Sequence, residues 1–109
     1  MFIGHEIFRW SSYGRWHPLR VPRVSTVMDL TRALGWLPAD QFITAPRAKP
    51  RALTHWHTMD YIDALMQTEA TQVVSDIHRH RHDLGSVANP VFPEMFRRPA
   101  TAAGGSILA

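Results

Sequence analysis

The order of apolar patterns in the first 45 residues constrains the fold more than any other feature of the sequence. Apolar residues between positions 2 and 8 predict a strand. Apolar residues at helical spacing predict a helix over about 22–34, with Gly35 placed to end it. The run 41–45 is typical of a strand and is ended by Pro46. A strand, a helix and a strand in this order predict a parallel βαβ unit with a right-handed crossover. We therefore expect an α/β fold.

The rest of the chain is predicted to be mainly helical. The spacing of apolar residues indicates helices over 51–56, from Thr58 onward, over 70–82, and from about Glu94 to the end. Thr58 suits the N-cap of its helix. Each proline disfavours helix at the residue before it, so we expect segment 89–93 to be an extended turn. For a related reason the last helix is expected to bend near Pro99.

The charged residues are dispersed along the chain. The 12 basic residues, 11 of them arginine, stand against 9 acidic residues and give a formal net charge of +3. So small an excess provides little counterion release, and nucleic-acid binders usually gather their basic residues on one face, so we do not expect nucleic-acid binding. No apolar run is as long as a membrane span, and the first residues lack the pattern of a signal peptide. We expect a cytoplasmic location without a membrane partner.

The chain has seven histidines and no cysteine, so any metal would be held by His, Asp or Glu. His78 and His82 have the i,i+4 spacing of helical zinc-binding pairs. However, Arg79 and Arg81 would repel a divalent cation, and the glutamate of the helical zinc motif is absent. We therefore interpret segment 78–82 as a solvated helix end. An alternative function is a small basic binding module that holds a polyanion with this segment.

Several short motifs in a shared order carry a family resemblance. They are Tyr13-Gly14, His17-Pro18-Leu19, Pro22-Arg23-Val24, Asp29-Leu30, His57-Thr58 with Tyr61-Ile62, Asn89-Pro90-Val91-Phe92-Pro93 and Gly104-Gly105-Ser106. With them the chain resembles the N-terminal part of histone deacetylase family proteins. It is most similar to the bacterial branch that includes acetoin utilization proteins. The resemblance runs over nearly all 109 residues.

This resemblance implies the N-terminal part of an arginase/deacetylase-like three-layer α/β/α fold with a parallel sheet. It also implies a parent enzyme that hydrolyses acetyl-lysine, acetylpolyamines or related acyl amides with a zinc ion held by two Asp and one His. The family's metal and catalytic motifs are absent from this sequence, and segment 100–109 has no signal that ends a helix. We therefore expect residues 1–109 to be a partial domain truncated at its C-terminal end. It would be inactive alone, would bind no zinc, and would have the remaining C-terminal part of the same domain as its partner.

The resemblance also assigns roles to particular positions. Arg23 matches the family arginine that lines the inner cavity, where a fixed cation can guide acetate out. Ala88, Asn89 and Pro90 match the rim of the substrate pocket. Many family members carry Asp at the position of Ala88, where its carboxylate holds the substrate backbone. Alanine cannot accept that hydrogen bond, which leaves small acetylated amines and other acyl amides as expected substrates.

Overall fold

The computed structural model describes residues 1–10, 13 and 16–109. The polar and aromatic residues over 10–18 predict an ordered loop, and parts of that segment lie outside the described residues. Two short strands, β1 (Phe2–Gly4) and β2 (Phe42–Thr44), form a parallel pair. Helix α1 (Arg23–Ala33) lies between them in the sequence, which confirms the parallel βαβ unit. The apolar residues that follow β1 form a 3-10 helix (Glu6–Phe8) and do not extend the strand as predicted.

Helices dominate the rest of the chain. They are α2 (Pro50–Leu53), α3 (Met59–Thr71), α4 (Asp76–His82) and α5 (Arg97–Leu108), with further 3-10 helices at Pro18–Arg20 and Ala39–Gln41. Helix α2 is shorter than the predicted 51–56, because the chain turns after Leu53. None of the helices in the described ranges combines the length and the hydrophobicity needed to cross a bilayer.

Helix α1 ends in a Schellman motif. Gly35 has a φ of 71°, in the left-handed region that favours glycine. Its N–H donates to the carbonyl of Arg32 at 3.0 Å, and the N–H of Trp36 donates to the carbonyl of Thr31 at 2.9 Å. Gly35 therefore ends the helix by the mechanism that its place in the sequence indicates.

The predicted helix over 70–82 is wrong in its first half. Thr58 caps α3 as predicted, with its hydroxyl accepting from the N–H of Tyr61 at 3.3 Å. Helix α3 then continues only to Thr71, because Gln72 adopts a left-handed conformation with a φ of 55°. A separate helix, α4, begins after Ser75, whose hydroxyl accepts from the N–H of His78 at 3.2 Å. The chain therefore forms two helices with a break between Thr71 and Asp76, where the apolar spacing indicates a single helix.

The last helix begins three residues later than predicted, at Arg97 rather than Glu94. The carboxylate of Glu69 on α3 accepts hydrogen bonds from the N–H of Phe96 at 2.8 Å and from the N–H of Arg97 at 2.9 Å. Pro99 is therefore the third residue of α5. An N–H at this position has no partner within the helix, so proline removes no helical hydrogen bond there. The structure therefore gives no reason for the predicted bend near Pro99, because proline interrupts no hydrogen bond between two residues of α5.

Helix α3 lies between two clusters of buried side chains. In one cluster, Ile62 packs with Leu53 of α2, with Ala100 of α5 and with Phe96, which precedes α5. Ala64 belongs to the other, with Val74, Leu84, Phe92 and Met95. Leu65 is partly buried against both clusters. The position of α3 is therefore fixed on two sides by apolar burial, and the segments after α3 and α4 are folded back onto it.

Arg9 joins the turn after β1 to helix α1. Its guanidinium donates to both carboxylate oxygens of Asp29, at 2.7 and 3.1 Å, and its Nε donates to Glu6. Hydrogen bonds from Arg9 lower the pKa of both carboxyl groups from their ordinary values, with a smaller contribution from the charge of Arg32. The charged forms of Glu6 and Asp29 are thus favoured by folding.

Replacing Arg9 by methionine should make stability less dependent on pH. A lowered pKa contributes stability above the ordinary carboxyl values, 4.5 for Glu6 and 3.8 for Asp29, and this contribution is lost as the pH falls through the folded values. We expect Arg9→Met to be less stable than the parent at about pH 7 and to approach it at about pH 3 in urea denaturation. The control is Arg47→Met at an exposed loop position. A constant difference between parent and Arg9→Met at both pH values would contradict the prediction.

Candidate functional site

A cavity of about 410 Å³ lies between α3, the start of α5 and segment 88–92. Its floor is apolar and includes Ile62, Leu65 and Phe96, which belong to or pack against the buried clusters. Apolar cavities of this size, with a few polar groups at the edge, are typical of small-molecule sites. The cavity is therefore the candidate functional site.

One wall of the cavity is built from aromatic rings. Tyr13 stacks on His17, with ring centroids 4.8 Å apart and an interplanar angle of 19°, and it packs against Phe92 at 4.5 Å. The guanidinium of Arg98 lies 5.1 Å from the centre of the Tyr13 ring, within cation–π distance. The structure thus brings the Tyr13 motif and the motif of segment 89–93, which are far apart in sequence, into one wall.

The three predicted rim residues, Ala88, Asn89 and Pro90, all line the cavity. A tight turn positions them: the N–H of Gly85 donates to the carbonyl of Asn89 at 2.8 Å, and the N–H of Asn89 donates to the hydroxyl of Ser86 at 3.1 Å. Gly85 has a φ of 80°, which favours glycine at this turn. The role of these residues in binding substrate stays a prediction.

Arg23 does not line the cavity in the structure. It is the first residue of α1 and is exposed. The positive charge of Arg23 lies at the N-terminal end of α1, where the helix dipole disfavours a cation. The helix itself therefore gives no reason for arginine at this position. The acetate-channel role that the resemblance assigns to Arg23 stays a prediction.

The cavity lining also contains residues that sequence reasoning did not assign to a site. His57 and Tyr61 line the cavity, and their ring centroids are 5.4 Å apart. Thr58 provides a signal that could have found them, since a cap at this position places His57 just before α3 and Tyr61 in its first turn. The contribution of Pro99 and Ala103 from α5 had no comparable signal, because it depends on where that helix begins.

Segment 78–82 forms most of α4 and contributes no residue to the described cavity lining, although the ring of His82 lies 5.4 Å from that of the lining residue Tyr61, between centroids. The rings of His78 and His82 are 6.3 Å apart between centroids. Asp60 partly neutralises the segment, since its carboxylate contacts His82 Nε2 at 2.9 Å and Arg81 at 3.3 Å. These contacts connect the end of α4 to the first turn of α3. They favour a structural role for the segment over polyanion binding.

The residues of the described ranges do not fit the zinc site that the resemblance implies. No group of three or more His, Cys, Asp or Glu is close enough together there to hold a metal. Among the described residues, His17 and His57 line the cavity, and no Asp or Glu does. A catalytic zinc ion needs three protein ligands, which the described residues do not bring together.

Comparisons with known proteins place the chain in a structural class. No protein-family model and no curated protein sequence matches it. Solved structures of histone deacetylase (HDAC) homologues do match it, which confirms the α/β fold with a parallel sheet of the arginase/deacetylase kind.

Two of these structures are an HDAC homologue from Aquifex aeolicus and an HDAC homologue complexed with SAHA. Each is 31% identical over 97% of this chain, with TM-scores of 0.91 and 0.90. The chain spans 28% of the length of either protein.

Proposed function

We propose that this chain is the N-terminal portion of a zinc-dependent deacetylase of the bacterial, acetoin utilization protein type, and that it forms part of the substrate pocket. The observation that carries the proposal is the match to HDAC homologues, at a TM-score of about 0.9 and 31% identity over 97% of the chain. The zinc ligands and catalytic groups would belong to the part of the fold that these 109 residues do not span.

The cavity suits one part of the reaction, the binding of the acyl amide. Its apolar surfaces, such as those of Leu53 and Phe96, can pack against the methylene groups of a lysine or polyamine chain. The tilted, closely packed rings of Tyr13 and Phe92 would narrow one side and keep water from the bound chain. Acetyl-lysine, acetylpolyamines and related acyl amides all offer an alkyl chain of this kind. Arg23 would guide the released acetate out of the inner cavity.

The exposed apolar surface supports the proposed partner, the remaining part of the same domain. All four tryptophans, at positions 10, 16, 36 and 56, are at least 73% exposed. Val27 and Leu30 of α1 and Leu34, the residue that follows the helix, form an exposed apolar stripe. Large exposed apolar surfaces mark sites of association, and a two-stranded parallel sheet is normally covered on its faces. Additional strands and helices of the domain would cover the exposed apolar side chains and the faces of the sheet.

A chimaera tests this function. Residues 1–109 would replace the matching segment of the Aquifex aeolicus homologue, and zinc content and hydrolysis of an acetylated alkylamine would be measured. We expect zinc-dependent hydrolysis that SAHA inhibits, and no hydrolysis by the 109-residue chain with added zinc. In the chimaera, Tyr13→Ala should lower kcat/KM about tenfold, equal to about 1.4 kcal/mol, because the cavity wall is lost. Arg51→Gln, at an exposed position of α2, is the matched control.

Two outcomes would contradict the proposal. A folded, zinc-loaded chimaera without activity would show that this chain does not form the pocket wall of a deacetylase. Metal-dependent hydrolysis by the 109-residue chain alone would show that its own residues hold the metal.

A further inference from the structure

A second groove, of about 440 Å³, adjoins the cavity at Pro90, which lines both. It runs between the residues after α3 and the turn that carries the rim. Val73 and Val87 line it with exposed fractions of 70% and 89%. Arg79 is the charged residue of the groove lining within the described ranges. The groove therefore combines open apolar surface with one cation next to the candidate site.

The turn at Gly85 leaves room for the Arg79 side chain. A Cβ built on Gly85 would lie 3.4 Å from Arg79 Nη1, so the guanidinium lies close to the backbone of the turn. Arg79 forms no ion pair with any residue that the structure describes, whereas Arg81 on the same helix contacts Asp60. An arginine without a counter-ion can donate to an incoming carboxylate through two parallel hydrogen bonds.

The surroundings of the rim contain little negative charge. Neither the cavity nor the groove has Asp or Glu among its described lining residues, and position 88 carries Ala. The carboxylate of Asp83 is the acidic group of the rim turn. It accepts a hydrogen bond from the hydroxyl of Ser86 at 3.2 Å and forms no ion pair with Arg79. Among the described lining residues, the groove beside the cavity therefore favours an anion over a cation.

We propose that Arg79 binds an anionic group on the substrate, so that the preferred substrates are acyl amides whose amine part ends in a carboxylate. This inference rests on the proposed function, because the cavity must take the acyl amide for the groove to receive the rest of the molecule. The methylene chain of the substrate would cross Pro90 and pack on Val87. An acetylpolyamine would instead bring an ammonium group to Arg79 and be repelled.

The test uses the zinc-free chimaera and three ligands that differ in one end group: acetamidohexanoate, the neutral acetamidohexanamide, and monoacetylated diaminohexane. Binding is followed by calorimetry and by NMR shifts. We expect the carboxylate to bind about fivefold more tightly than the amide, and the ammonium compound to bind more weakly than the amide. Arg79→Gln should abolish the preference for the carboxylate over the amide, whereas Arg51→Gln should keep the parent's order.

The outcomes separate this inference from the proposed function. Equal binding of carboxylate and amide to the parent, or a preference for carboxylate that survives in Arg79→Gln, would overturn the role of Arg79 and leave the cavity as an acyl-amide site. If none of the three ligands binds, the cavity fails as an acyl-amide site and the role of Arg79 fails with it.

Discussion

Replacing Gly104 by alanine is expected to lower the free energy of unfolding by about 3 kcal/mol or more. A Cβ built on Gly104 would lie 1.9 Å from the carbonyl oxygen of Pro46 and 2.7 Å from the amide nitrogen of Ala48. Both atoms belong to the backbone, so no side-chain rotation can relieve the overlap. Helix α5 would have to move away from segment 45–48, and the hydrogen bond from the N–H of Ala48 to the carbonyl of Ala100 would be strained.

Gly105→Ala is the matched control for this prediction. A Cβ at Gly105 would meet the side chains of Ala45 and Ile3 at 3.3 and 3.5 Å, close to ordinary contact distances. Alanine also favours the helix by up to about 1 kcal/mol relative to glycine. We expect Gly105→Ala to differ from the parent by about 1 kcal/mol at most in urea denaturation. Similar losses in the two variants would show that α5 does not cross segment 45–48 this closely.

The elements that were predicted correctly have local signals. Gly35 ends α1 through bonds to carbonyls a few residues earlier, and Thr58 begins α3 through a bond to an N–H three residues later. The strands at each end of the βαβ unit follow from short apolar runs. In each case the residue that decides the structure lies within one helical turn of the residues it acts on, so the sequence pattern alone identifies it.

The wrong boundaries have causes that local patterns do not show. Gln72 takes a left-handed conformation without the glycine or asparagine that usually indicates one, so the end of α3 has no clear sequence signal. The start of α5 depends on Glu69, which is 28 residues from Arg97 in the sequence. The same holds for the site: Tyr13 meets Phe92 only because α3 and the rim turn bring them together.

Replacing Glu69 by alanine is expected to lower the free energy of unfolding by about 3 kcal/mol. The Glu69 side chain is 12% exposed, and its carboxylate accepts from the N–H groups of Phe96 and Arg97 and from Arg97 Nε at 2.7 Å. Alanine would leave two partly buried N–H groups at the start of α5 without an acceptor. It would also remove the negative charge that the N-terminal end of the helix favours.

Asp63→Ala is the control, since Asp63 is an exposed acidic residue on the same helix. We expect it to change the free energy of unfolding by about 0.5 kcal/mol at most. Glu69→Gln, which keeps an acceptor oxygen but loses the charge, should fall between Glu69→Ala and the parent. An unchanged stability for Glu69→Ala would show that α5 does not depend on this cap. Because Met95, Phe96 and Pro99 line the cavity, the loss of the cap should also weaken ligand binding there. Glu69 therefore links the stability of the last helix to the shape of the candidate site.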